Sequence, residues 1–179
     1  MSTIRQRVAL AVLVCLAAPA TAREADASAP KIAAVMEFEL IDDMRDFERP
    51  EVKDAQDRRI GLISDTLRRE LLQRGMYRLA DNSAAARLII GLKAQQELHG
   101  CNGCEIDIGK ALGADVIIIG WVQKVSNLIL NINIEVKEIG SGRMLYVKSV
   151  DLRGNTDNSW LRGIRYMVDS IEEKKQHLR

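Results

Sequence analysis

The fold is decided by residues 114–137, which read ADVIIIGWVQKVSNLILNINIEVK. Residues 114–123 are almost all apolar, which is typical of a buried strand. In residues 128–136, Leu, Ile and Val occupy every second position and mostly polar residues lie between them, which is the pattern of a half-buried strand. A turn at Gly140-Ser141-Gly142 and a returning strand at 143–153 complete a predicted antiparallel meander.

The remaining elements are predicted from apolar spacing and from stop signals such as Gly75 and Gly113. In chain order they are a strand at 31–40, an acidic loop at 41–54, a helix at 55–74, a strand at 76–80, a helix carrying Leu88, Ile89 and Leu92, a helix at 104–112, the meander, and a closing helix carrying Trp160, Ile164, Met167, Val168 and Ile171. The order β-α-β-α-α-β-β-β-α predicts an α/β (α+β) fold. We expect a two-layer sandwich with a mixed sheet, an antiparallel meander at its end, and helices on one face.

The amino end has the pattern of a cleavable secretory signal. Arg5 and Arg7 precede an apolar run at 8–18, and the small-residue triplet 20–22 follows. The run is shorter than the roughly 20 residues that a membrane-spanning helix needs. We therefore predict cleavage after Ala22, a periplasmic location, and no membrane span in the mature chain.

The rest of the chain is predicted to hold a flexible leader at 23–30 and a single α/β domain at 31–179, a length that suits one domain. Lys and Arg number 26 against 25 Asp and Glu, and no basic block is long enough to follow a phosphate backbone. Aromatic residues make up only 4% of the chain, which disfavours platforms for base stacking. We expect no nucleic-acid partner.

The sharpest local motif is Cys101-Asn102-Gly103-Cys104. In an oxidising compartment such a close, isolated pair favours a structural disulfide between Cys101 and Cys104. A redox-active pair is the alternative, because the motif precedes a helix whose amino end favours a thiolate. A metal site with His99 lacks a fourth ligand, and covalent haem attachment is excluded because Glu105 stands where a histidine is required.

Catalytic constellations are sparse. His99 and His177 are the only histidines, and no Ser or Cys has a nucleophile-elbow setting. Glycine loops that bind phosphate are missing, and the acidic loop at 41–54 matches no calcium-binding spacing. We expect no catalytic residues, no metal site and no cofactor.

The strongest candidates for partner binding lie around the junction of the first two meander strands. There an indole, an ammonium group, a hydroxyl and several amides are close together in sequence. These residues are Trp121, Lys124, Ser126, Asn127, Asn131 and Asn133. Core packing of the indole and simple solvent exposure of the two strand asparagines are the alternative interpretations.

Several stretches make the chain resemble a bacterial domain-of-unknown-function family of small exported proteins. They are residues 31–42, 101–105, Gly113-Ala114-Asp115, 120–133 and Arg153-Gly154-Asn155-Thr156-Asp157. More distantly, the first strand, the first helix and the Gly-Ala-Asp step into an apolar strand resemble the TolB amino-terminal domain and the CsgG-like fold. The resemblance implies a two-layer envelope domain that works by contacts and not by catalysis.

Together these features predict an exported periplasmic protein without enzymatic activity. It would act as a binding or envelope-assembly accessory module for an envelope protein or a small ligand. A thiol-disulfide redox protein using Cys101 and Cys104 is the alternative function.

Overall fold

The computed structural model describes residues 29–177. The predicted signal peptide and most of the predicted leader lie outside this range. The strands are β1 (Ile32–Val35), β2 (Glu39–Ile41), β3 (Arg78–Leu79), β4 (Val116–Lys124), β5 (Ile129–Glu138) and β6 (Met144–Arg153). The helices are α1 (Pro50–Gln73), α2 (Ala86–Lys93), α3 (Cys104–Ala111) and α4 (Asp157–Gln176), and 3-10 turns occur at Arg45–Phe47, Asn82–Ala85 and Leu98–Gly100.

All six strands form one mixed sheet with the order β3-β1-β4-β5-β6, and β2 pairs with β4 further along the same edge as β1. The β3–β1, β1–β4 and β2–β4 pairs are parallel, whereas β4–β5 and β5–β6 are antiparallel. The predicted α/β class, mixed sheet and terminal meander are confirmed. None of the helices within residues 29–177 combines the length and the hydropathy that a membrane span requires.

The first predicted strand, 31–40, is divided into β1 and β2. Both segments pair with β4, but the chain leaves the ladder between them, where the backbone N–H of Phe38 donates to Ser64 Oγ at 2.9 Å. The ring of Phe38 is buried and lies over Gly120 of β4, so closely that a Cβ at position 120 would overlap it. Gly120 therefore makes room for the break and allows β2 to resume the pairing.

Helices α1 and α4 pack on one face of the sheet and form the main core with residues such as Ile118 and Ile132. On the opposite face, Ile117 and Ile119 of β4 pack with Ile108 of α3 in a smaller core. The prediction of helices on one face thus holds for the two long helices but not for α3. The reason is that β4 has apolar residues on both faces, and each face needs a cover.

Helix α2 is present as predicted, but it contributes little to the core. None of its residues is buried, and Leu88 and Ile90 are 38% and 69% exposed. Only Ile89 and Leu92 pack partly against the smaller core. The apolar side chains of α2 therefore make only shallow contacts, at the rim of the molecule.

The close contact between Phe38 and Gly120 can be tested by mutation. We expect Gly120→Ala to lower the free energy of unfolding by about 1–3 kcal/mol, because the new methyl group must displace a buried ring. Chemical denaturation measures the change. The matched control is Gly61→Ala in α1, where the added Cβ meets open space and helix propensity should raise stability by up to about 1 kcal/mol. Equal stability of Gly120→Ala and the unchanged protein would contradict the close contact between Gly120 and the Phe38 ring.

Candidate functional site

Lys124, the last residue of β4, is almost completely buried at 7% exposure. Its ammonium group donates to Asp42 Oδ2 at 2.8 Å and also to Glu48 Oε1. Burial alone would lower the pKa of Lys124, but the hydrogen bonds and charges of the two carboxylates outweigh it and raise the pKa. Lys124 therefore stays protonated at neutral pH and holds the 42–48 loop against the end of β4 through its ion pairs with these two acids.

Trp121 is half-buried and stacks on His99, with ring centroids 5.0 Å apart and an interplanar angle of 24°. His99 is held by buried Glu39, whose carboxylate lies 2.9 Å from Nδ1 and accepts the backbone N–H groups of Leu98 and His99 at 2.7 and 3.2 Å. Glu39 is also the ladder neighbour of Trp121. The indole is thus fixed between the sheet and the turn at 98–100. No signal in the sequence distinguished Glu39 from the other acids of its region.

Ser126 and Asn127 form the exposed turn between β4 and β5. Ser126 Oγ accepts the backbone N–H groups of Leu128 and Ile129, both at 3.2 Å. Asn127 Oδ1 accepts from Asn155 Nδ2 at 3.3 Å. The turn is therefore attached to the segment between β6 and α4, and its conformation is fixed by local hydrogen bonds.

Asn131 and Asn133 are half-buried and lie on the sheet face opposite α1 and α4, where Asn133 pairs with Trp121 in the ladder. Asn131 Nδ2 donates to Asp151 Oδ1 at 3.0 Å, and Asn133 Nδ2 donates to Asn131 Oδ1 at 3.4 Å. Together they form a polar row that continues from the indole toward β6.

We define the hairpin end as the end of the sheet formed by residues 42–48 and 124–129. Large apolar side chains are exposed there: Phe47 at 82%, Leu128 at 75%, Val125 at 67% and Ile129 at 59%. The contact between Lys124 and Glu48 brings the two segments together. Phe47 and Val125 are the sequence neighbours of Glu48 and Lys124, so they lie at the same end of the sheet. Phe47 was not identified from the sequence, since an isolated aromatic residue in an acidic loop carries no periodic signal.

Cys101 and Cys104 are buried, and their sulfur atoms lie at bonding distance. Cys101 Sγ also accepts the backbone N–H of Cys104 at 3.0 Å and Gln96 Nε2 at 3.2 Å. Both donors would stabilise a thiolate on Cys101 after reduction. The arrangement is therefore suited to thiol-disulfide exchange as well as to a structural crosslink.

Glu105 lies beside this pair, and one ligand atom from each of Cys101, Cys104 and Glu105 falls within 4.8 Å of the others. The carboxylate, however, accepts from Lys137 Nζ at 2.9 Å and from the backbone N–H of Gly103 at 3.0 Å. These contacts use both carboxylate oxygens. They fix the amino end of α3 to β5.

The structure divides the predicted site residues into two groups. Trp121 lies near the cysteine pair, because its partner His99 is two residues before Cys101. Lys124, Ser126 and Asn127 belong to the hairpin end, and Asn131 and Asn133 connect the groups along β5.

Comparison with solved structures identifies proteins of similar fold. The LpoB C-terminal domain from Salmonella enterica has a TM-score of 0.50 at 14% identity, covering 72% of this chain and 87% of that chain. The same domain from Escherichia coli has a TM-score of 0.50 at 15% identity, covering 72% and 86%. TolB from Acinetobacter baumannii has a TM-score of 0.47 at 11% identity, covering 82% of this chain and 28% of TolB. A comparison with curated proteins finds no match.

The family resemblance expected from the sequence is confirmed. The matched range begins just before β1 and ends within α4, so it contains the whole sheet. Because residues 31–171 match its pattern, the chain belongs to the family described as "Protein of unknown function (DUF2380)".

Proposed function

We propose that the protein is an exported, non-enzymatic binding or assembly module of the cell envelope, and that a protein partner docks on the hairpin end. The proposal of export rests on the signal pattern at residues 1–22. The proposal of binding rests on the exposed apolar side chains of the hairpin end.

The exposed side chains are the observation that carries this function. Phe47, Val125, Leu128 and Ile129 are each more than half exposed, although burying a large apolar side chain typically stabilises by about 1.5–3 kcal/mol. Large apolar side chains exposed at one end of a sheet are a feature of many interaction surfaces. Ser126 and Asn127, between these side chains, supply the polar groups that usually accompany an apolar interface centre.

The hairpin end is also held in place before any partner binds. Lys124 fixes the 42–48 loop, and the Asn127–Asn155 contact fixes the β4–β5 turn. A surface that is already ordered loses little conformational entropy on association. Lys124 thus acts as a positioning residue, whereas Trp121, Asn131 and Asn133 extend the proposed surface along the adjacent sheet face.

The test is site-specific photo-crosslinking in cells that express the full chain. A photo-reactive residue at Leu128 or Asn127 should give one discrete adduct, and the crosslinked protein in the periplasmic fraction should begin at Arg23. The control position is Lys110 on α3, which is exposed but distant in the fold. The adduct should decrease at least about tenfold in a Phe47→Ser variant, which removes apolar contact area without changing the crosslinking position.

Two results would overturn the proposal. Equal adducts from positions 110 and 128 would show unspecific collision, and a protein that stays in the cytoplasm with residues 1–22 attached would exclude the envelope role.

The positioning role of Lys124 leads to a separate prediction on stability. Lys124→Met leaves the carboxylates of Asp42 and Glu48 buried without their cation, and we expect a loss of about 3–5 kcal/mol in the free energy of unfolding. Lys110→Met, at an exposed site, should change stability by less than about 0.5 kcal/mol. Denaturant titration of both variants gives the comparison.

The pH dependence of this effect has a definite sign. Because the folded state raises the pKa of Lys124, its contribution is complete below the unfolded value of about 10.4 and is lost as the pH rises through the higher folded value. The stability difference between the unchanged protein and Lys124→Met should therefore be constant near neutral pH and shrink above about pH 10.4. A difference that already disappears near neutral pH would contradict the buried ion pair.

A second candidate function is thiol-disulfide exchange, favoured by the two donors that converge on Cys101 Sγ. In this function the Cys101–Cys104 disulfide accepts two electrons and two protons from a dithiol partner, which leaves as a disulfide. The donors would stabilise the reduced form and so raise the reduction potential. The burial of both cysteines argues against thiol-disulfide exchange, since they are only 8% and 7% exposed.

Redox titration separates the two roles of the pair. A redox-active pair should have a potential well above about −300 mV, and Gln96→Ala should lower it by about 10–30 mV through loss of one hydrogen bond. Gln95→Ala, at the exposed neighbouring position, is the control. A potential below about −300 mV together with strong destabilisation by Cys101→Ala would assign the pair a structural role.

A further inference from the structure

Strand β6 is an edge of the sheet and is 10 residues long. In the part of the chain that the structure describes, it pairs only with β5, so one of its sides carries an unpaired row of backbone groups. The pairing with β5 is regular from Tyr146 to Arg153, because the register shift of this ladder lies before Tyr146. A long, regular edge of this kind is a template for pairing with a further strand.

The backbone groups that point away from β5 belong to alternate residues of β6. The backbone N–H of Gly154 donates to the carbonyl of Leu128, so this pair is hydrogen-bonded across the β5–β6 ladder. Hydrogen-bonded and non-hydrogen-bonded pairs alternate in an antiparallel ladder. Leu152, Val150 and Lys148 therefore also direct their backbone groups to β5. The residues between them direct theirs outward, and all of these are exposed: Val147, Ser149, Asp151 and Arg153.

The devices that usually protect a sheet edge, such as proline and free lysine side chains, do not close this one. β6 contains no proline, and its only lysine, Lys148, is turned toward α4. There the ammonium group donates to Ser170 Oγ at 3.0 Å and lies 4.9 Å from the centre of the Tyr166 ring. Between β6 and α4 lies a groove of about 190 Å³, lined in part by Val150 and Leu152. The edge is therefore accessible and has apolar side chains beside it.

We propose that β6 pairs with β6 of a second copy of this chain, antiparallel and around a two-fold axis at Val150. An axis perpendicular to the sheet keeps α4 of both copies on the same side of the joined sheet. With the axis at Val150, Val147 lies opposite Arg153 of the second copy, and Ser149 lies opposite Asp151 of the second copy. Each of these pairs exchanges two backbone hydrogen bonds, so all the outward-facing residues find partners.

The charges of β6 select this register over its neighbours. An axis at Lys148 would place two ammonium groups opposite each other, and an axis at Asp151 would place two carboxylates opposite each other. Like charges directly opposite destabilise a sheet. An axis at Ser149 leaves Arg153 without a regular partner, because the strand is irregular at its start. With the axis at Val150, the Ser149 hydroxyl faces the Asp151 carboxylate at two symmetric places. This self-complementarity makes a second copy the occupant of the edge.

The dimer goes beyond the proposed docking function and does not depend on it. Because the two β6 strands run antiparallel, the hairpin ends of the two copies point in opposite directions and both stay accessible. Pairing also brings Val150 of the second copy beside Val150 at the groove between β6 and α4. Apolar area is therefore buried together with the backbone groups of the edge.

Cysteine substitution tests the register. Val150 would lie opposite itself in a non-hydrogen-bonded pair, where the two Cα atoms are about 4.5 Å apart, within the range that a disulfide spans. Val150→Cys should therefore give a covalent dimer on mild oxidation, which the unchanged protein does not give. The control is Val147→Cys, which is more exposed, at 62%, but lies opposite Arg153. The two copies of position 147 are thus about 20 Å apart along the strands. Equal crosslinking of both variants would show random collision and overturn the proposal.

Analytical ultracentrifugation of the purified protein tests the association itself. The unchanged protein should sediment as a dimer that dissociates on dilution. Ser149→Asp places a carboxylate opposite Asp151 at two symmetric places, so the dissociation constant should rise at least about tenfold. The matched control is Ser149→Lys, which places an ammonium group opposite the same carboxylate and should associate at least as tightly as the unchanged protein. Position 149 is exposed, so the circular dichroism of both variants should be unchanged.

Two further variants separate this dimer from other modes of association. The double variant Ser149→Asp/Asp151→Ser exchanges the two facing groups and should restore the dimer that Ser149→Asp weakens. Phe47→Ser alters the hairpin end and should leave the dissociation constant unchanged. A monomer at all concentrations, or equal dissociation constants of Ser149→Asp and Ser149→Lys, would overturn the proposal.

Discussion

Strand β4 must satisfy hydrogen-bond ladders along both edges and packing on both faces, and the rest of the fold is arranged around this constraint. Along one edge it pairs with β1 and then β2, and along the other with the full length of β5. Asp115, immediately before β4, closes the start of these ladders. Its carboxylate accepts the backbone N–H of Ile32 at 2.7 Å, and its carbonyl accepts that of Ile139 at 2.9 Å. Three distant segments therefore meet at one residue.

The second half of β4 positions three further segments, each through a different kind of interaction. Gly120 provides the space in which Phe38 lies, Trp121 stacks on His99, and Lys124 forms ion pairs with the 42–48 loop. The first contact is steric, the second aromatic and the third electrostatic. Since all three residues follow one another along a single rigid strand, the surfaces at the hairpin end and near the cysteine pair have fixed relative positions.

The sequence predicted those elements whose signal is local. The alternation in 128–136 and the glycines at 140 and 142 identified β5 and its turn, because strand periodicity and turn chemistry depend on neighbouring residues. The break between β1 and β2 was not predicted, since it depends on the contact of Phe38 with Gly120, far away in the chain. The same holds for the pairing of Lys124 with Asp42 and Glu48. A buried lysine and an exposed one look alike in sequence.

The sequence did contain a signal for helices on both faces of the sheet. A strand covered on one face alternates between apolar and polar residues, whereas residues 116–119 of β4 are apolar without interruption. Such a run requires cover on both faces, and α3 with the turn at 98–100 supplies the second cover. By contrast, the exposure of α2 had no signal, because its apolar spacing resembles that of a core helix.

Helix α4 explains how the scaffold that carries the hairpin end is fixed. Near its start, Asn155 accepts from Arg59 Nη1 at 3.1 Å and from Trp160 Nε1 at 3.0 Å, and near its end Arg74 of α1 bonds Asp169 and Glu172 at 2.7 and 2.8 Å. These contacts attach α4 to α1 at both ends of the main core. A scaffold fixed in this way favours binding through preformed surfaces, because little conformational entropy is lost on association. The docking proposed for the hairpin end therefore does not require the core to rearrange.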